Sequence, residues 1–515
     1  MHSGASLDEP VQLSALLETG LKTRPAGVAL ISLEDNWTWS ELAARTDRLA
    51  AHYLALGLKP GDRVASLMPN RLPLIAHYLA CFKAGLVATP LNYRYTPPEI
   101  DHALEVSGAK IILAHAERKA DIAASKARSL PLGVISYMAE KEGGPHFEHL
   151  METAPPSVAL PAIDLDAPAA IFFTSGSTGP AKGVTHSFGS LGWMFASVAK
   201  GYALTPQDVM LPASSCSHIG GFSFAMAALS VGARVAVARA FDHAELGPLV
   251  RAARPTVMTT LPATLLHLIR EPGTTGEDFA SLRMCRSGGD KVSAELEKEF
   301  HALTGHIIHE GYGMTEIGIA ANNPPYGLDK IGSIGLPNPG FAFSIRTEEG
   351  KETREGGEGR VWIRAPSHTS GYWNDPDATA EVFRDGWFDS GDIMKADSDG
   401  YLWFCGRKKQ IIVHDGSNIS PLEIEDALME HPSVESVGVI GIHDAAHGEN
   451  VRAYVELKQG KAATAGELIA FARERVGYKA PEDIVLLDEM PLNPTGKVDR
   501  AKLKKIAAGD HAHHV

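Results

Sequence analysis

The apolar residues of the N-terminal region alternate between two spacings. In 38–56 they recur every three or four positions, as on one face of an amphipathic helix, and Thr38 or Ser40 can cap its start. Further helices are predicted over 72–85 and 97–108, and short apolar runs predict strands over 61–69, 86–92 and 110–115. Between 168 and 310 the alternation returns, with strands predicted over 169–174, 233–238, 256–261 and 306–311. Helices that alternate with short apolar strands are typical of parallel α/β sheets, so two α/β subdomains are expected.

From about residue 328 the pattern changes to short strands between turns. Strands predicted over 332–340, 343–350, 357–366 and 399–407 indicate a smaller β-rich subdomain. The tail is predicted to contain a strand and then a turn over 411–416, strands over 434–442, 451–457 and 483–487, and a helix over 464–476. A further helix is predicted to begin near residue 420. Ser420 would be its N-cap, Pro421 its first residue, and Glu423 the acid of a capping box.

These patterns predict an α/β fold with two domains. Residues 1–407 would form a large N-terminal domain that contains two α/β subdomains and the β-rich subdomain. Residues 408–515 would form a small α+β C-terminal domain of about 100 residues, which is an ordinary domain size.

Composition narrows the class of protein. Of the 515 residues, 44% are hydrophobic and 21% are charged, as in ordinary globular proteins. This composition argues against a disordered, collagen-like or coiled-coil protein. The formal charge of −14 argues against nucleic acid or an anionic membrane as a partner. The four cysteines are widely spaced, which excludes a disulfide scaffold. No signal peptide is recognised, and the uncharged segment 209–233 is interpreted as a buried strand, loop and helix, so a cytoplasmic protein is expected.

A segment rich in glycine and hydroxyl side chains follows the predicted strand at 169–174. It contains Thr174, Ser175, Gly176, Ser177, Thr178, Gly179 and, three residues further on, Lys182. Such a loop can direct several backbone N–H groups at one anion, while the hydroxyls and the lysine add donors and charge, which suits a polyphosphate. The spacing is neither that of a Walker A loop nor G-x-G-x-x-G. A flexible surface loop is the plain alternative, and the position directly after a buried strand counts against it.

Five segments in a fixed order resemble one known family. The loop segment TSGSTGPAKGV is followed by GYGMTE at 311–316, WFDSGDI at 387–393, GRKKQIIVHDGSNISPLEIE at 406–425 and NPTGKVDR at 493–500. Together they resemble the AMP-forming acyl-CoA synthetases of the adenylate-forming superfamily, over roughly residues 20 to 505. Five segments in order are far more specific than one short motif. Asp290 departs from the family pattern, in which Ala-Pro is commoner at that point.

The resemblance implies contacts to the nucleotide and to Mg²⁺. Tyr312 would stack on adenine, Thr315 would donate to a phosphate oxygen, and Glu316, a hard oxygen ligand, would bind Mg²⁺ beside Thr178. Asp392 would accept bonds from the ribose hydroxyls, and Arg407 would contact the ribose. The other implied nucleotide contacts are Gly288, Gly289, Asp290, Gly311, Gly313 and Met314. Alone, an aspartate in a turn is more often a cap, and an arginine near a domain junction more often forms an interdomain salt bridge.

The resemblance also implies the groups that act on the acid and on the thiol. Lys497 would be the catalytic lysine that bridges the carboxylate and the α-phosphate, and His218 would be a gate beside the acyl pocket. Lys409 would be the hinge about which the mobile C-terminal domain rotates, and Gly416 would face the thiol tunnel. Without the surrounding motifs, Lys497 would be interpreted as a solvated surface group near the C-terminus. His218 would be interpreted as a hydrogen-bonded core residue in an apolar segment.

The implied reaction joins a carboxylic acid to ATP, releases pyrophosphate, and transfers the acyl group from the adenylate to coenzyme A. The cofactors would be ATP, Mg²⁺ and coenzyme A. Since 209–233 and 317–320 carry no cation, an acid with an apolar medium-chain or aromatic body is expected, although Arg286 could reach the pocket.

Three alternatives remain for the class of protein. An enzyme that loads a carrier protein would share the motifs, but no carrier domain follows Lys505, so coenzyme A is preferred. A luciferase-like oxygenase has the same fold, but no feature of this sequence supports that activity. An inactive nucleotide-binding protein would be expected to lack Lys497 or Glu316, and both residues are present. A homodimer is compatible with the sequence.

Overall fold

The computed structural model describes residues 1–139, 145–154, 157–174, 181–289, 292–325, 327–328, 330–414, 417–444, 448–493 and 496–511. The elements of its first part are β1 (His2–Ser3), α1 (Glu18–Thr23), β2 (Val28–Ile31), β3 (Asn36–Thr38), α2 (Trp39–Ala55), β4 (Arg63–Leu67), α3 (Leu72–Lys83), β5 (Val87–Pro90), α4 (Pro97–Ser107), β6 (Ile111–His115), α5 (Lys119–Ala124), β7 (Val134–Tyr137) and α6 (Phe147–Glu152). The predicted alternation is confirmed here. Thr38 and Glu41 form the reciprocal hydrogen bonds of a capping box at the start of α2.

The second part contains the strands and helices that position the candidate site. They are β8 (Pro168–Phe173), β9 (Gly183–Ser187), α7 (Phe188–Gly201), β10 (Val209–Ala213), α8 (Ile219–Ser230), β11 (Arg234–Ala236), α9 (His243–Ala253), β12 (Val257–Thr260), α10 (Pro262–Arg270), β13 (Met284–Gly288), α11 (Ala294–Thr304), β14 (Ile308–Met314) and β15 (Gly318–Asn322). The uncharged segment 209–233 is a buried strand, loop and helix, as predicted. Within the described residues no helix is both long and apolar enough to cross a membrane.

The third part is β-rich, as predicted. It consists of β16 (Leu336–Pro337), β17 (Ala342–Arg346), β18 (Gly359–Arg364), β19 (Gly371–Tyr372), α12 (Pro376–Val382), β20 (Phe383–Arg384), β21 (Trp387–Ala396) and β22 (Leu402–Arg407). The strand predicted over 332–340 is wrong in extent, since only Leu336–Pro337 pairs, and this segment is rich in proline and glycine.

The C-terminal part combines one sheet with helices. Its elements are β23 (Ile412–His414), β24 (Ser417–Ile419), α13 (Pro421–Met429), β25 (Val434–Asp444), β26 (Gly448–Leu457), α14 (Ala465–Val476), β27 (Asp483–Leu487) and α15 (Arg500–His511). The capping box predicted for α13 is wrong. The Ser420 hydroxyl donates instead to the Cys405 carbonyl oxygen at 2.8 Å, which fastens α13 to β22, and Glu423 pairs with Lys479.

Four sheets organise these elements. The strand orders are β7-β6-β4-β5-β8-β9-β19, β3-β2-β11-β10-β12-β13-β14-β15-β16, β1-β17-β18-β21-β20 with β22 on β21, and β24-β23-β26-β25 with β27 on β26. The first two sheets have parallel centres, as the alternation of elements requires, whereas the third is antiparallel. The largest apolar core includes residues of both α/β sheets and of α3, α7 and α8. In this core Phe222 meets Tyr78 and Phe172 edge to face at 5.2 and 5.1 Å.

Candidate active site

The candidate phosphate loop connects β8 and β9, which are antiparallel neighbours. Thr174 follows β8 directly and Lys182 precedes β9, and the Thr174 N–H donates to the Lys182 carbonyl oxygen at 3.2 Å. The two ends of the loop are therefore held together by the same ladder that pairs the strands. The predicted residues Ser175, Gly176, Ser177, Thr178 and Gly179 lie outside the described residues.

Tyr372 connects this loop to the acidic end of the GYGMTE segment. Strand β19 pairs antiparallel with β9, with Tyr372 opposite Val184. This pairing places the Tyr372 ring 5.0 Å from the Lys182 Nζ, while its hydroxyl donates to Glu316 Oε1 at 2.9 Å. Sequence analysis missed Tyr372, because β19 is two residues long and its position depends on a pairing between distant segments.

The Glu316 carboxylate is partly buried and lies opposite the end of the phosphate loop. Burial raises its pKa, and the hydrogen bond from Tyr372 opposes that rise. Within the described ranges Glu316 forms no ion pair, and no group of three or more His, Cys, Asp or Glu side chains could hold a metal ion. A cation at Glu316 would therefore not be held by a cluster of such side chains among the described residues.

A second constellation joins Tyr312, Asp392 and Arg407. Asp392 and Arg407 are paired residues of β21 and β22, and Arg407 Nε lies 3.0 Å from Asp392 Oδ1. The Tyr312 hydroxyl donates to the other carboxylate oxygen at 2.5 Å. Asp392 is fully buried, and burial raises its pKa against the opposing effect of Arg407. The Tyr312 ring also packs near Phe404, with centroids 6.4 Å apart. Three residues predicted to contact the nucleotide thus contact one another.

The charge of Lys497, a residue from the far end of the chain, reaches this constellation. Its loop is closed by the Asn493 N–H, which donates to the Lys497 carbonyl oxygen at 2.7 Å. Its ammonium charge lowers the pKa of His218, after the larger effect of burial, and it also acts to lower that of Asp392. His218 occupies the N-cap position of α8. The charge of Lys497 therefore reaches both His218 and Asp392.

The turn that carries Thr315 is fastened to β9 by a buried histidine. His186 Nε2 donates to the Thr315 carbonyl oxygen at 2.8 Å, and burial lowers the His186 pKa to about 4, so the ring is neutral at pH 7. Sequence analysis missed this contact as well. The same turn needs Gly313, because a Cβ there would lie 2.3 Å from the Gly318 carbonyl oxygen on β15. Met314 is partly buried next to it.

The remaining predicted residues fall into two groups. Gly288 ends β13 opposite Gly311 of β14, and Gly289 follows the strand with a φ of +88°. Asp290 and Gly416 lie outside the described residues, and of Lys409 only the backbone is described, in a short 3-10 helix over Lys408–Gln410 that follows Arg407.

Comparison with known proteins identifies the family of this chain. The family described as AMP-binding enzyme matches residues 17–373, and its C-terminal domain matches residues 423–497. A feruloyl-CoA synthase of Amycolatopsis is 33% identical over 96% of this chain and 98% of its own, and a 2-succinylbenzoate–CoA ligase of Geobacillus kaustophilus is 32% identical over 94% and 95%. The crystal structure of ATP-bound MatB from Rhodopseudomonas palustris has a TM-score of 0.89 at 30% identity and covers 96% of this chain and 99% of that chain.

The chain therefore belongs to the AMP-binding enzyme family. The relatives confirm the predicted enzyme class, an AMP-forming acid–thiol ligase, and the predicted fold of a large α/β domain followed by a small C-terminal one. ATP and coenzyme A are substrates of such CoA ligases.

Proposed function

We propose that this protein converts a carboxylic acid with an apolar or aromatic body into its coenzyme A thioester through an acyl-adenylate. The observation that carries the proposal is that the charge of Lys497, from the C-terminal part, acts on His218 and Asp392 of the large domain. The relatives named for feruloyl and 2-succinylbenzoate substrates support an aromatic body.

In the first half-reaction a carboxylate oxygen attacks the α-phosphorus of ATP. The bond from that phosphorus to the bridging oxygen breaks, and pyrophosphate leaves. Because an anion approaches a polyanion, a fixed cation that lies between them lowers the barrier. Lys497 would supply that cation, while Lys182 and the loop that it ends would hold the β- and γ-phosphates.

The Tyr312–Asp392–Arg407 constellation would bind the nucleoside. A ribose has two hydroxyl donors, and the buried Asp392 carboxylate already accepts from one hydroxyl, that of Tyr312, at 2.5 Å. Ribose hydroxyls would take over this acceptor, and the Tyr312 ring, once released from Asp392, could stack on adenine. Arg407 would keep the carboxylate ionised.

Mg²⁺ would be held by Glu316 together with phosphate oxygens. The residue fits this role because its carboxylate is partly buried, has no cation partner among the described side chains and has a raised pKa that a bound cation would offset. One carboxylate with substrate phosphates is a common Mg²⁺ site, and the bound ion would neutralise charge on the departing pyrophosphate. Thr178 would contribute its hydroxyl.

In the second half-reaction the thiol sulfur attacks the acyl carbonyl carbon, the bond to the phosphate oxygen of AMP breaks, and the thiol proton passes to solvent. We infer that the domain after residue 407 rotates about Lys409 between the two steps and that Gly416 then faces the thiol. The short helix between β22 and β23 supports a boundary at this point. A cytoplasmic location and a homodimer are part of the proposal and can be examined by fractionation and light scattering.

The test is a panel of acids assayed for pyrophosphate release, followed by addition of coenzyme A or a phosphopantetheinyl carrier protein. The proposal expects acid-dependent pyrophosphate release with an acyl-AMP intermediate, and thioester with coenzyme A. Transfer to the carrier alone would replace coenzyme A as the acceptor, and absence of pyrophosphate release with every acid would refute the proposal.

A further inference from the structure

A buried arginine lies beside the candidate site without a counter-charge. Arg286 is on β13, two residues before Gly288, and is only 7% exposed. Across the described part of the chain its guanidinium forms no ion pair, and its buried Nε has no hydrogen-bond partner. A guanidinium presents five N–H donors, and a buried charge without a partner is strongly unfavourable.

The groups around Arg286 satisfy it incompletely. The Phe224 ring of α8 lies with its centroid 5.5 Å from the guanidinium carbon, a cation–π contact that engages the face of the group and not its N–H donors. The fully buried Tyr202 hydroxyl lies next to the guanidinium, and the charge and a hydrogen bond of Arg286 lower the Tyr202 pKa, against the larger effect of burial, which raises it. The buried Arg286 Nε is left without an acceptor. Tyr202 and Arg286 therefore form a buried polar pair in which the arginine has no counter-charge.

Two glycines make room for the guanidinium. A Cβ on Gly288 would lie 2.6 Å from an Arg286 terminal nitrogen, and a Cβ on Gly311 would lie 2.9 Å from Arg286 Nε. Both distances are too short for a stable contact, so side chains at these positions would displace the arginine. Gly288 and Gly311 lie on β13 and β14 of the candidate site. The Arg286 side chain therefore lies on the face of β13 and β14 that includes the candidate nucleotide-binding glycines Gly288 and Gly311.

Helix α8 allows an estimate of the distance between Arg286 and the place where the substrate carboxylate would react. It begins after His218, which lies near Lys497, and Phe224 is six residues further along. At about 1.5 Å per residue, the Phe224 backbone is about 9 Å from that of His218 along the helix axis. Because side chains shorten this backbone distance, a ligand group at Arg286 would be separated from the reacting carboxylate by on the order of 5–10 Å.

We propose that Arg286 binds a second anionic group of the acid, so that the preferred substrates are elongated acids with an apolar body and an anion at each end. The Tyr202 hydroxyl donates to the same group. This inference rests on the proposed function and names the substrate class of that site. It modifies the expectation from the uncharged segments 209–233 and 317–320, because the cation is supplied by neither of them but by β13, which faces α8.

The test compares acids matched in shape that differ in the second anion. Terephthalate is paired with 4-methylbenzoate, suberate with octanoate, and 4-sulfobenzoate separates sulfonate from carboxylate. For the wild type, kcat/KM for pyrophosphate release should favour the dianion of each pair by about tenfold or more. Malonate should be poor, because it is too short to reach Arg286. Equal or better use of the monoanions by the wild type would overturn the inference, whatever the variants do.

Arg286→Met and Arg286→Lys show whether the arginine carries this preference. Loss of one partner of a buried charge pair should lower kcat/KM for the dianions on the order of 10²-fold in Arg286→Met, with little change for the matched monoanions. Arg286→Lys should restore part of the dianion activity. A parallel loss for both members of each pair would assign Arg286 a structural role.

Binding measured without turnover separates this inference from the proposed function. Terephthalate should raise the thermal midpoint of the wild type more than 4-methylbenzoate does, and this difference should vanish in Arg286→Met. If no acid releases pyrophosphate, the proposed function fails, and the thermal shifts still decide the role of Arg286. If monoanions react and neither kinetics nor binding favours the dianions, the inference alone fails.

Discussion

Replacement of Tyr372 by phenylalanine removes one hydrogen bond and keeps the rest of its surroundings. The Tyr372 hydroxyl donates to Glu316 at 2.9 Å, whereas its ring lies 5.0 Å from the Lys182 ammonium. Tyr372→Phe deletes the first contact and retains the second. We expect slower acyl-adenylate formation, because Glu316 loses the donor that keeps its carboxylate ionised and oriented.

The expected magnitude follows from the charge of the acceptor. A hydrogen bond to an ionised group contributes about 1.5–3 kcal/mol, and partial exposure of this pair favours the lower end. At about 1.4 kcal/mol per tenfold change, the rate of pyrophosphate release should fall about tenfold at neutral pH. Burial already raises the Glu316 pKa and the Tyr372 bond opposes this, so the variant pKa should be higher still. Activity that needs the carboxylate is lost as the pH falls through that pKa, so the variant should lose activity at higher pH than the wild type.

The assay is acid-dependent pyrophosphate release at several pH values and at saturating and limiting Mg²⁺. Tyr372→Leu is the control for the ring, since it also removes the face next to Lys182 and should be slower than Tyr372→Phe. A larger defect at lower pH than at higher pH is expected for Tyr372→Phe. A profile parallel to that of the wild type at every pH would refute this account of Glu316.

Two further changes address the hinge and the turn. Lys409→Pro should spare acyl-adenylate formation and impair thioester formation, because proline fixes φ at about −65° and hinders rotation. The yields of acyl-AMP and acyl-CoA compare the two half-reactions, and an equal loss of both would show that Lys409 is not the hinge. Gly313→Ala places a Cβ 2.3 Å from the Gly318 carbonyl oxygen and should lower the free energy of unfolding by about 1–3 kcal/mol, measured by thermal unfolding. Gly466→Ala is the control, because its Cβ would meet no neighbouring atom within 4 Å, and it should leave the stability unchanged. Equal unfolding midpoints for these two alanine variants would contradict the close approach at Gly313.

The parts of the structure that depend on local signals were predictable from the sequence. Thr38 and Glu41 form the capping box of α2, and the uncharged segment 209–233 becomes a buried strand, loop and helix. The wrong capping box at Ser420 shows where local signals fail. Its hydroxyl has an acceptor on β22, the Cys405 carbonyl oxygen, and that tertiary contact replaces the local one.

In the candidate site, too, residues within sequence motifs could be predicted and residues positioned by long-range contacts could not. Lys182, Glu316 and Lys497 stand in motifs with recognisable spacing, so sequence analysis could find them. Tyr372 and His186 act through pairings between segments far apart in the chain, namely β19 on β9 and the ring of His186 on the Thr315 carbonyl oxygen. No short motif surrounds either residue. Arg286 was identified as able to reach the pocket, but only the packing against Phe224 and Tyr202 shows that it lacks a counter-charge.

The central claim is that Lys497 serves acyl-adenylate formation at the site next to His218 and Asp392. It is tested most directly by both half-reactions of Lys497→Ala, with circular dichroism and ATP binding as controls for folding. Acyl-AMP formation from acid and ATP should fall on the order of 10²–10³-fold, the usual effect of losing one preorganised electrostatic contact. Thioester formation from synthetic acyl-AMP and coenzyme A should stay near the wild-type rate. If acyl-AMP formation were unchanged, or if both half-reactions fell equally, Lys497 would not have the role that its position indicates.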